Sequence, residues 1–443
     1  MSSTNCAIIT RLTSVRKHPN ADKLNLATCV GSQIVVDLEQ SEGAIGIFFM
    51  ADLELSHDFC LNNNLYNNSA LQKLGLSLSD HPGFFDYKRR VRAQSFRGEK
   101  SEGIWLPLSS LEWAGNISLL KEGDTFTEFS GHEICQKYIS PATRRALGHQ
   151  NQQKTGRREL KQFPKHDVTK QLRFVINDIP EDAVIYLTEK LHGTQGRYCH
   201  VQDEEPLPKW KQLLNTYVFR AGYFQPTFTY KHFNGSKNVI LERSDARASW
   251  YGTDDFRYNV TKDLQLRKGE VIYFEIVGWV NETSPIMPPH QVDKKSLPDV
   301  YKLYGDVINY SYGCPAGEHR MYVYKIMLVN EDGHGVDLSW PQVKQRCKEL
   351  GLAHVPELMG PLGYAQLESE PQQMLPDAML HRYVESLVSG PSTLNSAQIR
   401  EGVVVRVESA LGTMYLKEKS FSFKVLEGIV KSDEAFVDPE DTQ

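Results

Sequence analysis

The 443-residue chain has no apolar run approaching the length that crosses a bilayer. Its first residues, Met1-Ser-Ser-Thr-Asn-Cys-Ala-Ile-Ile-Thr10, put no basic segment ahead of an apolar one, so no secretory signal is visible. An intracellular, cytoplasmic protein without membrane spans is expected. Paired cysteines are missing too. Cys6, Cys29, Cys60, Cys135, Cys199, Cys314 and Cys347 are scattered, odd in number and never in a C-x-x-C pair, which speaks against a disulfide framework and a structural zinc site. Nor is there an excess of positive charge: Lys plus Arg total 50 against 55 Asp plus Glu. Bulk charge therefore does not coat nucleic acid, and any such contact must come from local patches. No G-x-G-x-x-G follows a strand and no G-x-x-x-x-G-K-[ST] occurs, which disfavours Rossmann and P-loop nucleotide sites.

The length suffices for two or three domains with cores of their own. In the first 130 residues, short apolar runs alternate with turns, as in Ala7 to Thr10, Gln33 to Asp37 and Ala44 to Met50. That spacing predicts a small β-barrel over 1–130. His18-Pro-Asn-Ala-Asp-Lys-Leu24 lies between strands as a polar turn and resembles the hairpin segment of tRNA-binding-type OB folds. Tyr87-Lys-Arg-Arg-Val-Arg92, followed by Arg97, alternates basic and apolar residues. As a strand it would lay Lys88, Arg90, Arg92 and Arg97 along a nucleic-acid-binding face; a charge-guarded edge strand reads equally well. Residues 131–170 are basic and poor in apolar residues, which reads as a linker. The last stretch, 431–443, is an acidic tail.

Residues 171–430 are rich in strands: Val184 to Lys190, Asn238 to Arg243, Val271 to Val280, Met321 to Val329, Gly402 to Val407 and Thr413 to Lys419. Two helices are marked, one by a Ser339 cap, Pro341 and Gly351, the other over Asp377 to Val388 before Gly390. The class is α+β with mainly antiparallel sheets. Six strands carry polar residues that a buried sheet would not choose. Lys190 ends one, Arg243 another, and Glu275 interrupts a third. Tyr324 sits within a fourth, Glu401 opens a fifth, and Lys417 and Lys419 close the last. One such residue is ordinarily a solvated strand terminus; the set points to a site.

In order and type these pieces resemble the covalent nucleotidyltransferase superfamily of ATP-dependent ligases and RNA capping enzymes. Glu189-Lys-Leu-His-Gly-Thr194 is similar to its nucleophile motif in the RNA-ligase form, with histidine in place of the aspartate usual in DNA ligases and capping enzymes. Tyr273-Phe-Glu-Ile-Val-Gly278, Glu401-Gly-Val-Val-Val-Arg406 and Leu416-Lys-Glu-Lys419 are similar to its later motifs. The resemblance implies an N-terminal OB-type barrel followed by a nucleotidyltransferase domain of antiparallel sheets with flanking helices. It also implies an ATP-dependent RNA ligase that seals 3′-OH and 5′-phosphate ends through a lysyl-AMP on Lys190 and an adenylylated 5′ end, in repair of nicked RNA or tRNA. A free lysine near pKa 10.4 is nucleophilic in only about one molecule in 2,500 at pH 7, so such a site must favour the neutral amine.

By the same resemblance Lys417 and Lys419 hold the α-phosphate and Glu275 meets the ribose. Glu401, with Glu275, holds Mg2+ or Mn2+. Tyr324 stacks on adenine, and Glu189, His192, Gly193 and Arg243 line the nucleotide. Three features depart from the pattern. Gln195 stands where asparagine is common, Lys325 where aspartate is usual, and the chain stops soon after the last motif, leaving RNA to the N-terminal barrel. A DNA ligase or capping guanylyltransferase of the same superfamily is the alternative, with a non-catalytic RNA-binding relative behind it. No protein partner follows from the sequence.

Overall fold

The computed structural model describes residues 5–151, 159–167, 169–205, 207–217, 223–241, 251, 255–367 and 376–431. Near the N-terminus, Ala7–Arg11, Ile45–Met50, Gly103–Pro107 and Thr125–Phe126 make a four-stranded antiparallel sheet. Thr13–Lys17, Leu24–Cys29 and Ser32–Asp37 make a three-stranded one. Leu12, Ala27, Ile34, Val36, Phe48 and Trp105 form an apolar layer common to both. Their ladders stay separate among the described residues, so the hydrogen bonding does not close the expected barrel.

The turn at His18 is more than a polar connector. His18 is buried, its Nδ1 accepts from the Asn20 amide at 3.0 Å, and its Nε2 lies 3.0 Å from the Phe96 carbonyl oxygen. It ties this hairpin to the next one, Gln94–Phe96 with Glu99–Ser101.

Tyr87 to Arg92 is not the strand its alternation suggests. The Asp86 carboxylate accepts from the Lys88 amide at 2.9 Å and Arg89 adopts φ +52°, so the extended run breaks into a turn. Only an isolated bridge, Glu54 with Arg90, remains. The segment read as a linker carries regular structure in part of its described residues. Cys135–Lys137 pairs with Leu53–Leu55, carrying the N-terminal unit past 130, and a helix spans Pro141–Asn151. Phe163 is buried beside Cys199, Val201, Val271 and Tyr273.

The C-terminal part is built on two sheets. One has the order Lys170–Gln171, Gly412–Lys419, Gly402–Ser409, Val184–Lys190, Glu357–Gly363. Val184–Lys190 is an interior strand buried along nearly its whole length, which is why it reads as continuous apolar sequence rather than as an alternation. Leu380 and Val384, one turn apart on helix Pro376–Val388, pack on this sheet with Val403 and Val405.

The second sheet runs Ile240–Leu241, Thr227–Ser236, Thr194–Glu205, Glu270–Gly278, His319–Val329, Gly335–Asp337, with Ala353–His354 alongside His319–Val329. Of the expected strand over Asn238 to Arg243, only Ile240–Leu241 is seen, and Arg243 lies outside the described residues. Helix Trp340–Leu350 has the capping box of Ser339 and Gln342 and ends at Gly351, φ +66°, as the sequence signals require. It buries Trp340, Val343 and Cys347 in the main core with Ile272, Phe274 and Val323.

Candidate active site

The two sheets bound a cleft of about 210 Å³. Strand register assembles its charged end. Lys190 pairs with Gly402, and Gly402 with Lys419, so three neighbouring strands bring the two lysines to the same level. Gly402 permits the approach: a Cβ there would collide with the Glu418 carbonyl oxygen.

Glu401, one residue earlier, is fully buried. Its carboxylate lies 2.8 Å from Lys190 Nζ, 3.2 Å from Lys419 Nζ and 3.8 Å from His192 Nδ1. A buried carboxylate of this kind is tolerable because two cations compensate it.

The ion pairs continue outward. Lys419 lies 2.9 Å from Glu427, and Glu427 2.9 Å from Lys431. Lys431 reaches Asp52 of the N-terminal unit at 3.7 Å, and Arg90 pairs with Asp52 while donating to the Gly428 carbonyl at 2.9 Å. Burial alone would raise the Glu427 carboxyl, but Lys419 and Lys431 outweigh it and hold the group well below its usual range. Alternation along Gly412–Lys419 puts Lys417 in the cleft with Lys419 and turns Glu418 to the other face. There Glu418 meets Arg173 and, at 2.8 Å, Lys424, which also pairs with Glu102 at 2.9 Å.

Across the cleft stand Gly193, Gln195, Glu275 and Tyr324. A Cβ on Gly193 would meet the Ile276 carbonyl oxygen, so this turn also needs glycine. Gln195, the departure from the common asparagine, pairs directly with Glu275. Burial, then the Glu275 carboxylate, pushes the Tyr324 phenol well above its ordinary range, keeping it neutral. Lys325 is buried and lies 3.1 Å from Asp337, so the lysine found where an acid is usual brings its own partner.

Of two further expected nucleotide contacts, Glu189 lines the cleft and His192 is not among its lining residues. The His192 ring sits among Tyr310 and Phe423, centroids 4.8 and 4.9 Å away, behind Glu401. The Glu189 carboxylate accepts from the Thr393 amide at 2.8 Å.

The basic residues near 90 do not form a row. Arg90 is buried in the contact with Asp52 and Gly428, a correction to its expected place on a nucleic-acid face. Arg92 pairs with Asp86 at 2.6 Å, Arg97 donates to the Asn20 carbonyl at 3.1 Å, and Lys88 lies over the Tyr87 ring. Conversely, the sequence reading missed His166, Asp167, Thr169, Lys237 and Asn238, all lining the cleft. Arg406 was missed as well; it lies beneath the cleft, donating to the Tyr415 hydroxyl at 2.8 Å and the Tyr324 carbonyl at 3.3 Å. An arginine set in the apolar run Gly402-Val-Val-Val-Arg-Val407 was the available signal.

A strand-end lysine facing a buried glutamate, with two further lysines and a second acid around a cleft between two sheets, defines a nucleotidyltransferase of the ligase class. The RNA ligase family model matches residues 183–426, more than half of the chain, and the chain belongs to that family. Solved structures of similar fold include a Naegleria gruberi RNA ligase variant with ATP and Mn, at 15% identity over 94% of this chain and 98% of that one, TM-score 0.54. Another is a variant of the same ligase with AMP and Mn, at 15% identity over 95% and 98%, TM-score 0.54. A third is that ligase with PPi, at 16% identity over 95% and 97%, TM-score 0.54. No curated protein matches the chain in sequence. No helix among the described residues is long and apolar enough to cross a membrane.

Proposed function

We propose that the protein is an ATP-dependent RNA ligase that works in three transfers. Lys190 Nζ attacks the α-phosphorus of ATP, forming a P–N bond as pyrophosphate leaves. A 5′-phosphate oxygen of RNA then takes the AMP, freeing the lysine. A 3′-OH attacks the resulting 5′-adenylate, forming the phosphodiester and releasing AMP. The observation that carries this reading is the convergence of Lys190 and Lys419 on the buried Glu401 carboxylate.

Each side chain then has a task. Glu401 holds Lys190 Nζ at the cleft mouth. Lys417 and Lys419 bind the α-phosphate and offset the charge that builds on it. Glu275 accepts from the ribose hydroxyls, and Tyr324 stacks on adenine.

Among the described residues no cluster of three or more His, Cys, Asp or Glu is placed to hold a metal. The carboxylates of Glu401 and Glu275 nevertheless suit Mg2+ or Mn2+ that keeps waters and phosphate oxygens as its other ligands. Such an ion supplies charge neutralisation on the phosphates.

The N-terminal unit serves as an OB-type module that grips RNA, and 171–430 as the catalytic domain, joined by 131–170. Breaks in duplex RNA or tRNA inside the cell are the substrates this reading favours.

Incubation with α-labelled ATP or GTP tests it. Label from ATP should stay on the protein through an acid-labile, alkali-stable, Lys190-dependent attachment. Retention from GTP alone, or undiminished labelling of Lys190→Ala, would overturn the assignment.

A further inference from the structure

Residues 159–167 and 169–171 meet the two sheets at the cleft. The Phe163 carbonyl accepts from Arg197 at 2.7 Å and the Pro164 carbonyl from the Tyr273 hydroxyl at 2.8 Å, which fixes the first stretch to the seven-stranded sheet. A few residues on, Lys170–Gln171 pairs in parallel with Leu416 and Lys417 of the other sheet. Between these anchors His166 enters the cleft wall.

The His166 ring lies edge-on to Tyr324 and to Tyr415, both centroids at 5.2 Å. Its Nε2 is 3.4 Å from Thr169 Oγ1, and its Nδ1 is buried with no hydrogen-bond partner among the described residues. A buried polar atom without a partner is costly. The residue that carries it lines the cleft, next to the ring assigned to stack on the base.

Resting on the ligase reading above, we propose that His166 is a specificity residue that reads the edge of the nucleobase. Burial, helped by Lys325 and Lys237, pushes the imidazole pKa down to about 3, so the ring is neutral and offers one donor and one acceptor. With Nε2–H donated to Thr169, Nδ1 is the acceptor. It takes a hydrogen bond from the 6-amino group of adenine, whereas guanine presents a carbonyl oxygen at that position and leaves two acceptors face to face.

The test compares ATP with purine riboside triphosphate, which lacks only the 6-amino group, in single-turnover adenylylation of the full chain. Wild type should prefer ATP by about three- to tenfold, the worth of one neutral hydrogen bond, mainly through KM. His166→Phe keeps an aromatic ring against Tyr324 and Tyr415 and should remove the preference. His166→Asn, which retains an acceptor near Nδ1, should restore part of it. Equal use of the two nucleotides by wild type, a measurement that needs no variant, overturns the proposal. So does a preference that survives in a folded His166→Phe. If wild type takes no label from ATP at all, the ligase reading itself fails, a distinguishable result.

Discussion

Glu401 and Lys190 face each other at 2.8 Å across the ends of adjacent strands, the acid wholly buried and the lysine about one-fifth exposed. Neither residue is positioned by its own segment alone. The pairing of Lys190 with Gly402 sets their separation, so the geometry is a property of the sheet. Glu401→Gln keeps the volume and removes the charge shared by two lysines. Adenylylation should fall by about 100-fold or more, measured as the single-turnover labelling rate at saturating ATP. A loss under threefold would detach Glu401 from the chemistry.

Gly402 gives the same argument a steric form. Gly402→Ala adds one methyl against the Glu418 carbonyl and the Lys419 backbone. The strands must part, at a cost of about 2 kcal/mol, and Lys419 moves with them. A lower urea midpoint together with slowed labelling is expected. A stable variant with unaltered labelling would show that the register tolerates more than its packing suggests.

Arg90 and Arg92, two residues apart, should behave in opposite ways. Arg90→Met leaves Asp52 and the Gly428 carbonyl without their donor, which should destabilise the protein by about 3 kcal/mol. Arg92→Ala alters a half-exposed pair with Asp86 and should change stability by under about 0.5 kcal/mol. If this face meets RNA phosphates, only Arg92→Ala should flatten the salt dependence of RNA binding, by about one charge. Equal effects of both on the salt slope would refute the division.

The contact between the N-terminal unit and the catalytic domain should be acid-labile. Burial alone would raise the Glu418 carboxyl, but Lys424 and Arg173 outweigh it and hold it at about 2, below its ordinary value of about 4.5. Glu102, joined to the same two cations, is lowered as well. A depressed carboxyl stabilises the fold fully above its unfolded pKa and loses that contribution as pH falls through the folded one. For Glu418 the window runs from about 4.5 to about 2 and is worth on the order of 3 kcal/mol. Urea midpoints should therefore hold steady from pH 7 to 5 and drop below. Glu418→Gln should start lower and lose less on acidification.

The charged end of the cleft was legible because sheets penalise buried polar side chains. Lys190, Glu275, Glu401, Lys417 and Lys419 stood out against apolar strands; the structure brings four of them to one cleft and buries Glu401 against Lys190 and Lys419. His166 and Thr169 were hidden for the converse reason. They lie in a polar, basic segment whose composition resembles a connector, and nothing local reveals that Phe163 anchors it. Tyr87 to Arg92 misled because a period of two can also be written by a turn, and the Arg89 backbone angle leaves no mark in the residue order. The ion pairs among Glu427, Lys431 and Asp52 join residues nearly 380 positions apart, a separation that no local pattern encodes.

That last chain of charges bears on how the protein can be dissected. Asp52 closes a line running through Lys431, Glu427 and Lys419 to Glu401, which also meets Lys190. A fragment of residues 171–431 would lack the first carboxylate and its Arg90 escort, leaving Lys431 and Glu427 free to choose new orientations. Its labelling rate would then describe a differently wired enzyme, so truncation and the single change Asp52→Asn belong in the same experiment.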